Sequence, residues 1–214
     1  MAASDKGKAI LENAYRLSTP DDNKTYYREF AQSYDEDFAD ALGFVYPQTI
    51  AKIYSAKAVA EDIPVADIGC GTGLVAEALA LPARDIDGMD ISSEMLSHAA
   101  KKSLYRRTYE IDLTTDLSPI CNDYGAVVSS GTFTHGHLGP DALTNLLAIA
   151  REGALFVIGV NRSHFKSLGF QETLAGLARV RRISEPSLEE VRIYSKDDHE
   201  HSGDMAMAVS YRKL

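Results

Sequence analysis

Asp67-Ile68-Gly69-Cys70-Gly71-Thr72-Gly73 sets a glycine at every second position behind a single carboxylate. Glycine at that density lets a backbone turn sharply and lie close against a ligand. The spacing also discriminates among ligands. A dinucleotide loop of the form G-x-G-x-x-G needs its third glycine at position 74, which is Leu74. A phosphate loop needs Gly-Lys-Ser/Thr, and no lysine lies between Lys57 and Lys101. Asp67 repels a pyrophosphate and suits a ligand that carries an ammonium group. The alternative is a glycine-rich turn that holds no ligand.

Other groups capable of chemistry recur further along. Asp90 lies 17 residues beyond Gly73, close to the spacing of about 20 at which a carboxylate meets ribose hydroxyls. Charge-assisted hydrogen bonds of that kind are the stronger ones. Asp90 competes with a plainer role, capping the helix that starts at Ser92, although Ser92 alone can serve as that cap. Asp112 closes the segment Thr108–Leu113, with Asp116 a substitute further along. Ser129-Ser130-Gly-Thr-Phe-Thr-His135-Gly-His137 then follows an apolar run. An imidazole there can take a proton from an incoming nucleophile. His135 is the first candidate and His137 the second; the alternative is that they orient the loop or face solvent. His135-x-His137 and His199-x-His201 lack the further ligands of a closed metal site, and no metal is expected. Cys70 reads as a small packing residue.

These residues need a sheet to align them. Val65–Ile68 is a short apolar run, and from Leu74 the apolar residues recur at helical spacing. Strand, glycine turn and helix in that order open a doubly wound α/β sheet, whose ligands lie at the carboxyl ends of the strands. Ile86–Met89 is expected as the second strand, Thr108–Leu113 as the third and Asp123–Ser129 as the fourth. Ala154–Val160 is apolar throughout, as a strand buried on both faces must be. Val191–Tyr194 and Met205–Tyr211 are expected as the last two. Helices are expected over Asp141–Ala150 and Phe170–Val180. The first 60 residues read as helical: residues 5–17, a segment from Thr19 through Tyr34, a short piece ending near Gly43, and Pro47–Ala60. Residues 1–60 are thus expected as a helical cap belonging to the same domain as a core over 61–214.

The 214 residues are 45% hydrophobic and 25% charged, as in an ordinary globular protein, and no apolar run is long enough to span a membrane. The start lacks the apolar core of a signal peptide, and two cysteines give no disulfide framework, so a cytoplasmic setting is expected. A net charge of -9 opposes approach to a phosphate backbone, which disfavours nucleic-acid partners.

The run Asp67-Ile-Gly-Cys-Gly-Thr-Gly73 resembles the first motif, D/E-x-G-x-G-x-G, of the class I S-adenosylmethionine-dependent methyltransferases, and Asp90-Ile-Ser-Ser-Glu-Met95-Leu96 resembles their second. The resemblance implies a Rossmann-like, doubly wound, seven-stranded sheet, mostly parallel with the last strand antiparallel. It implies S-adenosylmethionine as cofactor and S-adenosylhomocysteine as product. Gly69, Cys70, Gly71 and Gly73 then form the loop under the ligand, and Asp67 suits its ammonium end. Asp90 takes the ribose, Ile91 and Met95 enclose the adenine, and Asp112 with Leu113 bonds its edge. Ser129 and Ser130 stand at the carboxyl end of the fourth strand, on the cofactor side. In such enzymes N-terminal helices cap the pocket, and Tyr27-Arg-Glu-Phe-Ala-Gln-Ser-Tyr34-Asp35 is similar to their Tyr-Asp-x-Trp-Ala-x-x-Tyr-Asp pattern. Tyr27 and Tyr34 are therefore candidates to touch the cofactor, although an aromatic series at this spacing also suits a core stripe. Gly131-Thr-Phe-Thr-His-Gly-His-Leu-Gly-Pro140, together with Tyr46-Pro47, looks like the methyltransferase-like proteins related to the Williams–Beuren syndrome region methyltransferase.

Two subclasses are disfavoured by what is missing. The chain has no Asn/Asp-Pro-Pro-Tyr/Phe tetrapeptide, and no acid at Ser129 or Ser130 to start a magnesium site. The expectation is an enzyme methylating O, N or S of a small molecule. A protein methyltransferase and a cofactor-binding module without turnover are the alternatives. Oligomeric state is not legible.

Overall fold

A computed structural model describes Gly7, Asn13, Tyr26 and residues 31–120, 123–134 and 137–214. Most of the helix expected over 5–17, most of the one from Thr19 to Tyr34, and the residues Tyr27 and His135 lie outside the described residues.

Seven strands form one sheet in the order β3-β2-β1-β4-β5-β7-β6. They are β1 (Val65–Ile68), β2 (Ile86–Asp90), β3 (Arg107–Glu110), β4 (Tyr124–Phe133), β5 (Ala150–Asn161), β6 (Ser187–Arg192) and β7 (Met205–Arg212). Pairs β1–β2, β1–β4, β2–β3 and β4–β5 are parallel, and β7 runs antiparallel to both neighbours, β5 and β6. This is the Rossmann-like methyltransferase fold that the motifs imply. The order reverses between β1 and β4, so the carboxyl ends of these two strands open a crevice.

Helices α1 (Tyr46–Lys57), α2 (Leu74–Leu79), α3 (Ser93–Lys101), α4 (Asp141–Leu146), α5 (Arg162–Ser167) and α6 (Phe170–Arg179) surround the sheet. Strand alternation divides the core in two. Ala126, Val128, Leu155 and Val157 face one layer with Ile50 and Tyr54 of α1 and Val75 of α2. Val127, Phe156, Ile158 and Val160 face the other with Leu143 of α4, Phe165 of α5 and Phe170 of α6. Burial on both faces is why β4 and β5 carry continuous apolar runs. Tyr46 opens α1 and lies so close to Gly159 of β5 that any side chain at Gly159 would overlap its ring.

The structure moves several expected boundaries. β3 stops at Glu110: the Ile111 amide donates to the Asp90 carbonyl at 2.9 Å as the last bond of the β2–β3 ladder, and Ile111–Leu113 lies beyond the strand. β4 continues past Ser129 to Phe133 through a register shift, with Gly131 in the left-handed region at φ +79°. β6 spans 187–192 rather than 191–194: Tyr194 instead bridges to Phe44 of the cap. β6 is an exposed edge strand with acidic Glu189 and Glu190, so it lacks the apolar signature of the interior strands. α4 is shorter than expected, and α5 has no counterpart among the sequence expectations.

Candidate functional site

The glycine loop owes its shape to backbone conformations that side chains resist. Gly69, Gly71 and Gly73 all have positive φ, at +62°, +52° and +96°. Gly69 also passes so close to β4 that a Cβ would overlap the Thr132 side chain, whereas a Cβ on Gly71 would meet nothing within 4 Å. Of these two only Gly69 meets a close-packing requirement; Gly71 stands in open space on the pocket side.

One pocket, with about 970 Å³ of empty space open to solvent, spans the crevice between β1 and β4. Gly69, Cys70, Gly71 and Thr72 line its floor, and Asp90, Ile91 and Met95 line one side. Ile111, Asp112, Leu113 and Thr114 close that end. Ser130, Gly131, Thr132, His137 and Leu138 line the β4 side, and Tyr34, Phe44 and Pro47 reach in from the cap. The described lining residues include no lysine and no arginine, while Asp90 and Asp112 supply carboxylates. That donor set fits a ligand without phosphates and with positive charge, and it fits S-adenosylmethionine.

Asp90 is tied into the loop. Its Oδ2 accepts from the Gly71 amide at 2.9 Å and its Oδ1 accepts from the Ser92 amide at 2.9 Å. Burial raises its pKa, against the lowering effect of these amides. Ser92 caps α3, accepting from the Met95 amide at 3.2 Å. Asp90 thus organises the turn before α3 and also lines the pocket. Asp112 Oδ1 accepts from the Thr114 amide and hydroxyl at 2.9 and 2.7 Å, a local turn that holds the carboxylate at the pocket end.

Three of the expected site residues stand behind the lining rather than in it. Asp67 is fully buried; its Oδ2 accepts from the Tyr105 hydroxyl at 2.7 Å, and its Oδ1 has no hydrogen-bond partner among the described residues. β1 alternation sends this side chain to the α1–α2 face, so it lies beneath the loop. Burial pushes its carboxyl up to about 7, the Tyr105 hydrogen bond pulling down and the charge of Asp90 pushing further up. Gly73 forms the N-terminal boundary of α2, and its amide donates to the Cys70 carbonyl at 2.8 Å. The buried hydroxyl of Ser129 donates to the Ile68 carbonyl at 2.8 Å, joining β4 to β1. Cys70 is buried, and its thiol is raised well above its ordinary range by burial and then by Asp90 and Asp67, so it stays protonated and acts as packing.

His137 lines the pocket, and burial followed by the charge of His164 lowers its pKa to about 4. Its imidazole is therefore neutral at physiological pH, able to accept a hydrogen bond and weak as a proton acceptor. His164, whose Nε2 lies 3.0 Å from the Leu138 carbonyl, braces the same loop from α5.

Sequence reasoning assigned no role to Phe44, Thr132 or Ile111. Phe44 enters because the segment before α1 packs against Tyr194: its ring lies 5.4 Å from Phe38 and 5.7 Å from Tyr194, and Phe38 stacks on Tyr34 at 4.8 Å. Thr132 Oγ1 donates to the Ile68 carbonyl at 3.1 Å after the irregular turn in β4. The clearest signal for Thr132 was its place in the distinctive run after Gly131. No comparable sequence signal marks Phe44.

Residues 65–153 match the family described as methyltransferase domain. No curated protein matches the sequence significantly. Among solved structures, a TehB-like S-adenosylmethionine-dependent methyltransferase from Corynebacterium glutamicum is similar over 89% of this chain and 99% of its own, at 20% identity and TM-score 0.60. A possible histamine N-methyltransferase from Thermotoga maritima is similar over 88% and 98%, at 15% identity and TM-score 0.60. A plantazolicin methyltransferase, solved in complex with S-adenosylhomocysteine, is similar over 99% and 96%, at 16% identity and TM-score 0.59.

Proposed function

We propose that this chain, with its methyltransferase fold and a methyltransferase-domain match over the segment carrying the glycine loop, is an S-adenosylmethionine-dependent methyltransferase acting on O, N or S of a small-molecule acceptor. The observation that carries the reading is a single pocket that joins the glycine loop, Asp90 and Asp112 to the β4 loop and the aromatic cap. The cofactor, when bound, supplies a methyl group already made electrophilic by its sulfonium.

The chain's own task is then mainly to hold an acceptor near and in line. Gly69–Thr72 offers a backbone that comes close to the ligand, Asp90 accepts from ribose hydroxyls, and Ile91 and Met95 flank the base. Asp112 and the Leu113 amide meet its edge. The acceptor side is formed by Thr132, His137, Leu138, Tyr34 and Phe44, which combines an apolar surface with the hydroxyls of Thr132 and Tyr34 and one neutral imidazole. His137 orients the nucleophile by accepting its hydrogen bond, and His135 is the general base. The narrower kinship with the Williams–Beuren-related proteins rests on Gly131–Pro140 and Tyr46-Pro47 in the sequence. Residues 1–60 serve as the cap of this one domain. No described helix is long and apolar enough to cross a membrane.

Calorimetric titration with S-adenosylmethionine and S-adenosylhomocysteine tests the cofactor: micromolar binding of both is expected, and no binding of either at millimolar concentration overturns the proposal. Incubation of a metabolite extract with methyl-labelled cofactor tests the acceptor. Label in a low-molecular-weight product is expected; label confined to protein or RNA overturns the small-molecule reading.

A further inference from the structure

Asp35 directly follows Tyr34, the cap residue that lines the pocket, and begins the first turn of a π-helical segment over Tyr34–Asp40. Its carboxylate is used in two directions. Oδ1 accepts from the hydroxyl of Thr72, and Oδ2 accepts from the ammonium of Lys102. Thr72 belongs to the glycine loop, is buried at 2% exposure and lines the pocket. Lys102 ends α3, the helix whose opposite end holds Ser92 and Met95, and it also faces Glu77 of α2 at 3.2 Å. One carboxylate therefore joins the cap to the glycine loop and to the two helices that follow β1 and β2. A cation at a helix C-terminus is favourably placed against the helix dipole, which fixes Lys102 as the outer anchor.

We propose that Asp35 is a positioning residue for methyl transfer: by holding Thr72 and Lys102 together it fixes the glycine loop in its ligand-binding turn and sets Tyr34 over the pocket. This rests on the reading that the pocket takes S-adenosylmethionine. The clasp is electrostatic and partly exposed, with Asp35 and Lys102 side chains 34% and 23% accessible. Salt therefore weakens it.

The test uses S-adenosylhomocysteine as probe on the full chain, with calorimetry for affinity and amide hydrogen exchange for segments 34–40 and 69–73. Asp35→Ala is expected to weaken binding about ten- to hundredfold, the range for hydrogen bonds to charged groups. Exchange in the two segments is expected to rise together. Thr72→Val is expected to weaken binding too, and the double variant to be little worse than Asp35→Ala alone, because that substitution already cuts the contact to Thr72. Lys102→Met, placed outside the pocket, gives a smaller loss and removes most of the salt dependence. Unchanged affinity in Asp35→Ala with only a lowered melting temperature overturns the proposal, as does full additivity of Asp35→Ala and Thr72→Val. A wild-type protein that binds no probe overturns the function itself, and the role of Asp35 falls with it.

Discussion

The amide of Gly71 donates to Asp90 Oδ2 at 2.9 Å, so the glycine loop after β1 is fastened to the acid that ends β2. A single contact thus joins the two motifs read separately along the chain. It also means that Asp90 shapes the floor of the pocket as well as one side.

Substituting Asp90 should therefore act twice. Asp90→Ala removes the acceptor for Gly71 and Ser92 together with the proposed ribose contact. Its S-adenosylmethionine affinity should fall more than the about tenfold to hundredfold of one charged hydrogen bond. Asp90→Asn keeps one oxygen for the Gly71 amide and should lose less. Calorimetry on both variants decides the matter, and equal, wild-type affinities would remove Asp90 from the ribose.

Gly69 and Gly71 should respond differently to the same methyl group. Gly69→Ala drives a Cβ into Thr132 at a left-handed φ and is expected to prevent stable folding. Gly71→Ala meets open space, so its cost is the left-handed strain of about 1–2 kcal/mol and a melting point lower by roughly 2–8 °C. It should fold and lose cofactor affinity, because it stands at the ligand side of the loop. Thermal melts alongside probe binding separate the two.

Asp67 makes stability depend on pH. Its folded carboxyl titrates near 7, while an unfolded one titrates near ~3.9. The folded state holds the proton more tightly, so the stability contribution is complete below about pH 4 and is lost as pH rises through about 7. Asp67→Asn should flatten this fall, as read from denaturation midpoints at intervals between these limits. A cation bound near the loop favours the charged carboxylate and expels the proton. S-adenosylmethionine affinity should accordingly rise from pH 6 to 8, and more steeply than that of S-adenosylhomocysteine, which lacks the sulfonium charge.

His137 shifts in the opposite direction. Its folded pKa of about 4 lies below the unfolded value near ~6.5. Its contribution to stability is present above pH 6.5 and is lost as pH falls toward 4. Any loss of turnover caused by protonating His137 should appear near pH 4, with no inflection near 6.5. His137→Ala should reduce turnover while leaving S-adenosylhomocysteine affinity unchanged. Unaltered turnover would take this imidazole out of the acceptor site.

Much of the fold was readable because buried parallel strands need continuous apolar runs and each is followed by turn chemistry. Val65–Ile68, Ala154–Val160 and the glycines after Ile68 are local signals of that kind. β6 was misplaced because an exposed edge strand carries Ser187, Glu189 and Glu190 in place of an apolar pattern. The continuation of β4 to Phe133 depends on Gly131 adopting positive φ against β5, a pairing that local sequence does not encode.

What the sequence by itself determined is the ligand class of the loop and the places where carboxylates must stand. Those follow from glycine spacing and from residues at strand ends. Only the tertiary structure decided which of these groups line the pocket. Asp67 and Ser129 stand one residue out of phase with the pocket, since successive side chains in a strand face opposite ways, and long-range contacts draw each into the frame. Phe44 and Thr132 come to the pocket, and Asp35 to the glycine loop behind it, from segments distant in the chain, through packing on Tyr194, closeness to Gly69 and contacts with Thr72 and Lys102. Those contacts exist only once the sheet has closed and residues 34–44 have packed against it.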